Sequence, residues 1–285
     1  MGACASARNR LALDLVEEIV TSRNNPRVKW ARAAREGRER DLIWVEGPRL
    51  LQDALRSGWA VELLVSTQNR DLAEFQADGL GSVAIRSGLP FLWVSAEVMA
   101  SLADTVNCQG CAAVLRRPVC TALPAGIERW LVLDRVQDPG NVGTLLRTAE
   151  AAGVQAVLLL EGCADPYGPK ALRASMGASL RLPIRQGLPW SRAKELLPAG
   201  NLRLAACMEG DHTHDGFRWP QSWALVLGNE GQGIDKAIEA DCSLRVSVAM
   251  EGGVESLNVA AAGAVLLFEA ARQRRNMVAT DASEP

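Results

Sequence analysis

The chain of 285 residues is short of several things that would assign it quickly. It has no net basic charge: 31 Lys and Arg stand against 33 Asp and Glu, a formal charge of -2, which argues against a uniformly basic nucleic-acid binder. No stretch approaches the roughly 18 uncharged apolar residues that a membrane-spanning helix requires. It has no disulfide framework, because its seven cysteines are odd in number and irregularly spaced at 4, 108, 111, 120, 163, 207 and 242. Such scatter fits reduced thiols and a cytoplasmic location. The early acids Asp14, Glu17 and Glu18 disfavour an organelle transit peptide. Histidine is scarce. His212 and His214 in "DHTHDG" read as a polar surface loop, and "CQGC" at 108–111 has no second ligand pair, so no metal is expected. The opening "MGACAS" fits a myristoylation pattern through Gly2 and Ser6, with Cys4 as a second lipid site, but so short a pattern recurs by chance.

What is present is uneven charge and ample core material, 48% of the residues being hydrophobic. Residues 21–40 carry seven basic side chains (Arg23, Arg27, Lys29, Arg32, Arg35, Arg38, Arg40) against Glu36 and Glu39, a local net of +5. A basic arm on a mildly acidic body suits a polyanion partner, and a solvated helix face gives similar counts. Residues 11–40 look helical. "DLIWVEGPRLLQDALRSGWAVELLVSTQ" reads as strand, turn, helix and strand, with Pro48 near the helix start, and "FLWVSAEVMASLAD" with "CAAVLRRP" adds strand, helix and strand. The expected organisation is a basic arm (1–39), a small α/β domain (40–118), a proline-bearing linker (119–127), a larger domain (128–275) and a tail (276–285).

From 130 onward, strands are expected at 131–136, 154–160, 202–207, 223–228 and 245–249, with helices at 141–152, about 169–178, and 256–274. Strands such as "AVLLL" and "WALVLG" lack period-two alternation, as in a parallel sheet covered by helices on both faces. The larger domain is therefore expected to be doubly wound α/β.

Three glycine-bearing turns stand out. "DPGNVGTLLRTAEAAG" follows a strand but offers neither G-x-G-x-x-G nor G-K-[ST], which excludes the dinucleotide and P-loop readings. Asp138 or Asn141 can cap its helix. Arg147 is the only cation on that helix, expected to be buried, so it needs an anionic partner that is either structural or a ligand phosphate. "LVLGNEGQGI" places Gly228, Gly231 and Gly233 after a strand, with Glu230 at the apex. "VSVAMEGGVESLNVAAAGAVLLFEAARQRR" ends a strand at Met250 and opens a helix with Ser256 as its expected N-cap. The small run "VAAAGA" then permits close packing of another backbone.

These three segments, in this order, resemble the SpoU family of RNA ribose 2'-O-methyltransferases, within the SPOUT superfamily of knotted methyltransferases. "KALRASMGASLRLPI" resembles the segment between the first two motifs, and "IWVEGPRLLQDAL" resembles the family's RNA-recognition domain. The resemblance implies a trefoil-knotted C-terminal domain that binds S-adenosylmethionine through Leu227, Gly228, Val248, Met250 and Leu257. It assigns activation of the ribose hydroxyl to Arg147, with Asn141, Glu230, Ser256 and Asn258 around it, and it implies RNA as partner and a homodimer through the knotted domain. Two positions depart from the family pattern, Ala249 where proline is common and Ala260 where serine is common, and neither touches a polar group assigned to the chemistry. Ribosomal RNA is the expected substrate. The alternatives are transfer RNA, or a member of the fold that binds RNA without transferring a methyl group.

Overall fold

The computed structural model describes residues 19–67, 88–104, 108–118 and 123–281. The "MGACAS" start and residues 11–18 of the expected N-terminal helix lie outside them. The chain divides into two compact units, Met1–Val119 and Cys120–Pro285.

In the first unit, helix α1 (Pro26–Arg35) is capped by Asn25, whose side chain accepts from the Arg27 amide. It is shorter than expected: Pro26 fixes its start, and Gly37 at φ +70° lies in the turn beyond its end. Strand β1 (Leu42–Glu46), helix α2 (Pro48–Arg56), β2 (Val61–Thr67), β3 (Phe91–Val94), α3 (Ala96–Leu102) and β4 (Cys111–Arg116) follow. The four strands lie in the order β1-β4-β2-β3, antiparallel except for the β2–β3 pair. Val28, Ala31 and Ala34 of α1 pack with Trp44, Leu63, Val65 and Val98 in the unit's core. Arg35 donates to the carbonyls of Ser101, Leu102 and Ala103 at 3.4, 3.4 and 3.2 Å, capping the end of α3, and Arg32 donates to the Ser101 hydroxyl at 3.2 Å. Two of the seven basic side chains in 21–40 are thus committed to structure. "CQGC" forms the turn into β4, with Gly110 at φ +73°; among the described residues no cluster of three or more His, Cys, Asp or Glu could hold a metal ion.

The second unit is a seven-stranded parallel sheet. Its elements are β5 (Arg129–Leu133), α4 (Pro139–Ala152), β6 (Ala156–Leu160), α5 (Pro169–Ser175), α6 (Ala178–Arg181), β7 (Ile184–Leu188), α7 (Trp190–Leu196), β8 (Leu202–Ala206), β9 (His212–Thr213), β10 (Trp223–Leu227), α8 (Lys236–Ala240), β11 (Leu244–Ser247) and α9 (Val259–Asp281). The strand order is β7-β6-β5-β10-β8-β11-β9, with β6 and β10 buried throughout and β5, between them, buried from Trp130 to Leu133. Burial on both faces is why these strands read as unbroken apolar runs. Among the described residues, no helix is long and apolar enough to cross a membrane.

Helix α4 buries Val142, Leu145, Leu146, Ala149 and Ala152, an apolar stripe at helical spacing. Gly143 lies on that buried side, where a Cβ would overlap the Ala171 carbonyl oxygen of α5. Gly263 of α9 does the same against Leu145 and Leu227. At that glycine, the small-residue run of the last helix packs within its own chain.

Candidate active site

Three loops at the carboxyl ends of β5, β10 and β11 supply the residues singled out by the three motifs. After β5, Asp138 caps α4 by accepting from the Asn141 amide at 3.0 Å, with Pro139 at the first helical position. Its other oxygen accepts from Lys170 Nζ at 2.7 Å. The Lys170 contact, followed by the Asn141 amide, holds the Asp138 carboxyl below its ordinary value.

After β10, Asn229 and Gly233 exchange backbone hydrogen bonds at 3.0 and 2.9 Å. The Asn229 side chain accepts from the Gly231 and Gln232 amides and donates to the Arg135 carbonyl. Of the three glycines only Gly233 has positive φ, +69°. Gly228 is required for a different reason: a Cβ there would overlap the backbone of Gly233 and Ile234. Its close approach is to its own loop. Asp134, 3% exposed, anchors the base of this loop by accepting from the Asp235 amide at 2.8 Å and pairing with Arg135 at 3.0 Å. Arg135 holds φ +53°, a sparsely populated conformation for a side-chain-bearing residue. Its guanidinium is held further toward the charged form by Asp134.

After β11 the chain runs without regular secondary structure, bending at Gly252 and Gly253, to Asn258, and α9 begins at Val259, not at Ser256. Asn258 performs the capping expected of Ser256, accepting from the Ala260 and Ala261 amides at 2.8 and 3.4 Å. Ser256 is exposed. Among the described residues, no backbone group from Met250 to Leu257 is hydrogen-bonded, and Met250, Val254 and Leu257 are 41, 63 and 38% exposed.

One network joins the three loops. Asn141 Nδ2 donates to Glu230 Oε1 at 2.9 Å, and Asn258 Nδ2 donates to Asn141 Oδ1 at 3.1 Å. Arg147 stands apart from it. The guanidinium is exposed, contrary to the expectation of burial, because Arg147 lies opposite the buried stripe of α4. It makes no hydrogen bond or ion pair among the described residues. Leu227 is buried at the end of β10, and Val248 is half-buried at the exit of β11.

Comparison with known proteins decides the family. The description "SpoU rRNA Methylase family" matches residues 128–268, and "MRM3-like substrate binding domain" matches residues 25–113. A Bacillus subtilis protein named 23S rRNA (guanosine(2553)-2'-O)-methyltransferase RlmP is 32% identical over 257 residues, covering 89% of this chain and 98% of its own. The chain belongs to the SpoU rRNA methylase family. The human mitochondrial rRNA methyltransferase 3 is 30% identical, with 82% of this chain and 68% of that protein covered. Among solved structures, an AdoMet-bound rRNA methyltransferase from Sinorhizobium meliloti superposes with a TM-score of 0.78 at 28% identity, covering 90% of this chain and 97% of that one. The SpoU methyltransferase AviRb from Streptomyces viridochromogenes, in complex with AdoMet, gives 0.75 at 26% identity, covering 88% and 99%. Asn229, Asp134 and Lys170, which hydrogen-bond within these loops, were not singled out by sequence reasoning. An asparagine opening a glycine-rich turn was a usable signal for the first; nothing in the spacing pointed to the other two.

Proposed function

We propose that this SpoU protein methylates the 2'-hydroxyl of a ribose in RNA, ribosomal RNA in particular, with S-adenosylmethionine as donor. The observation that carries the reading is the Glu230–Asn141–Asn258 network, which brings polar side chains from three separate loops to one place. Beside it, the residues present suit S-adenosylmethionine. The unpaired backbone of 250–257 offers donors and acceptors to an adenine edge, and Met250 and Leu257 offer apolar surface to its faces. When bound, S-adenosylmethionine supplies an electrophilic methyl group. Leu227, Gly228, Val248, Met250 and Leu257 form its cradle in this reading.

The chain's own residues orient the acceptor. Glu230 uses Oε1 to hold Asn141, so Oε2 is left to accept a hydrogen bond from a ribose hydroxyl. Ser256, exposed two residues before Asn258, adds a hydroxyl at the rim. Arg147 contributes the positive charge of a guanidinium, which stabilises the alkoxide developing on the ribose oxygen. Positioning supplies much of the acceleration. In this reading the chain is threaded as the family's trefoil knot and forms a homodimer. Exposed Thr144 and Ala151 of α4, with Phe268 of α9 at 46% exposed, provide the contact face.

The test is methylation of ribosomal RNA from cells lacking the protein, using purified chain and labelled S-adenosylmethionine, with the product mapped for 2'-O-methyl ribose. Cofactor binding with no label transferred to any ribosomal or transfer RNA would reject the activity.

A further inference from the structure

The loop 248–258 is fixed at its far end by Asn258, which caps α9 and donates to Asn141. At its near end β11 stops at Ser247. From Ala249 to Leu257 a single backbone hydrogen bond is made among the described residues, from the Ala249 amide to His214 Nδ1 at 3.4 Å. Ala249 lies between Val248 and Met250, two of the residues placed against S-adenosylmethionine above.

The fold delivers this histidine by an unusual strand. Gly210 lets the chain cross so closely that a Cβ there would lie 2.6 Å from the Ser247 amide nitrogen. Strand β9 then pairs with β11, and the His214 amide donates to the Ser247 carbonyl at 2.7 Å. His212 packs on Phe217 at 5.7 Å between ring centroids, and Phe217 continues through Trp219 to Trp223. Gln273 of α9 accepts from the Trp219 amide and donates to the Phe217 carbonyl and to Glu269. The His214 backbone is thus tied to the end of β11, and its side chain is 20% exposed.

An N–H donating to Nδ1 requires that nitrogen to be unprotonated. Charged groups of both signs lie near the ring. Asp215 Oδ1 is 3.7 Å from Nδ1, and its carboxyl is held low first by the Thr213 hydroxyl. Glu269 of α9, held low mainly by Arg272, is also within electrostatic reach of His214. Arg272 is engaged by Glu269 at 2.7 Å and offsets part of that charge. A protonated Nδ1 donates toward Asp215 and can no longer accept from Ala249.

We propose that His214 is a positioning residue for the cofactor loop: its neutral ring holds Ala249, and through it Val248 and Met250, in the geometry that binds S-adenosylmethionine, and protonation releases them. The inference rests on the cofactor reading given above. Asparagine places an acceptor, Oδ1, where histidine has Nδ1, but cannot take up a proton near neutral pH. Calorimetric titration of the full-length protein with S-adenosylmethionine at pH 8 and pH 6 tests it. The wild type is expected to lose several-fold in affinity at pH 6. His214→Leu is expected to bind about tenfold more weakly at pH 8, and His214→Asn to bind within about twofold of wild type at both pH values. Equal affinity in wild type and His214→Leu overturns the proposal, as does a pH response in His214→Asn as large as the wild type's. If His214→Leu melts before it can be titrated, the comparison of wild type with His214→Asn decides. No binding by the wild type at either pH would instead reject the cofactor reading itself.

Discussion

At the scale of single residues, Arg147 shows how the same side chain reads differently in sequence and in space. A lone cation amid "VGTLL" and "TAEAAG" suggests a buried guanidinium, but that pattern assumes helix α4 is covered all round. The helix is amphipathic, and Arg147 occupies its exposed side with no partner among the described residues. Arg147→Ala should therefore shift stability by no more than about 0.5 kcal/mol and leave cofactor affinity intact. If the guanidinium stabilises the developing alkoxide, single-turnover methylation should fall by about a hundredfold or more. A variant that methylates at the wild-type rate would return Arg147 to the role of a surface charge. The cysteines are the counterpart. Burial pushes the thiols of Cys163 and Cys207 up to about 11 and that of Cys242 up to about 12. Roughly one Cys207 side chain in a thousand is thiolate at pH 8, so alkylation by iodoacetamide in the folded protein should be far slower than in urea. These thiols stay neutral in the fold while unfolded chains ionise. Their contribution is thus complete below an ordinary thiol pKa and is lost as pH climbs through 11 to 12. Melting temperatures measured from pH 8 to pH 11 should decline across that window, and Cys207→Ala with Cys242→Ala should flatten the decline.

At the scale of elements, the alternation of strands and helices was legible because burial leaves long apolar runs, as in β6 and β10. Elements whose pattern carries little of that signal were missed. β7 is an edge strand with two exposed residues among five, and α8 has five residues with only Ile238 buried. Spacing placed the polar motif residues on the right loops, but it could not show that Asn141, Glu230 and Asn258 touch, since contacts across 89 and 117 residues of chain follow from topology alone. The start of α9 is the instructive error. Ser256 and Asn258 are both good caps, and the chain uses the later one, keeping residues 250–257 out of the helix with Met250 and Leu257 exposed. Asn258 then does two jobs, with Oδ1 as cap and Nδ2 as donor to Asn141. Asn258→Ala removes both and should cost about 1 kcal/mol of stability. Asn258→Asp keeps the cap acceptor but loses the donor. Its melting temperature should stay near that of the wild type while single-turnover methylation drops as far as in Asn258→Ala. Full activity in Asn258→Asp would show that the capping of α9, and not the link to Asn141, is what the site requires.

At the scale of the molecule, the two units have separate cores, one around Trp44, Val65 and Val98 and the other around Trp130, Leu158 and Val226. Each also has its own sheet. That independence makes a division of labour testable by cutting the chain between them. The basic stretch 21–40 belongs to the first unit, although Arg32 and Arg35 are spent on the end of α3, so the polyanion surface proposed for it is smaller than the charge count of +5 suggests. All three loops of the proposed cofactor and ribose site belong to the second unit. A fragment beginning near Leu123 should keep the second core and bind S-adenosylmethionine with the affinity of the full chain. Its affinity for ribosomal RNA should be lower, and the dependence of log affinity on log salt should be shallower, because every phosphate left without a neutralising side chain takes about 0.7 to 0.9 from that slope. Binding isotherms for both proteins at three salt concentrations give the slopes directly. A fragment with the same slope and affinity as the full chain would place the phosphate-binding side chains on the methyltransferase unit, and the first unit would then have to recognise something other than the RNA backbone.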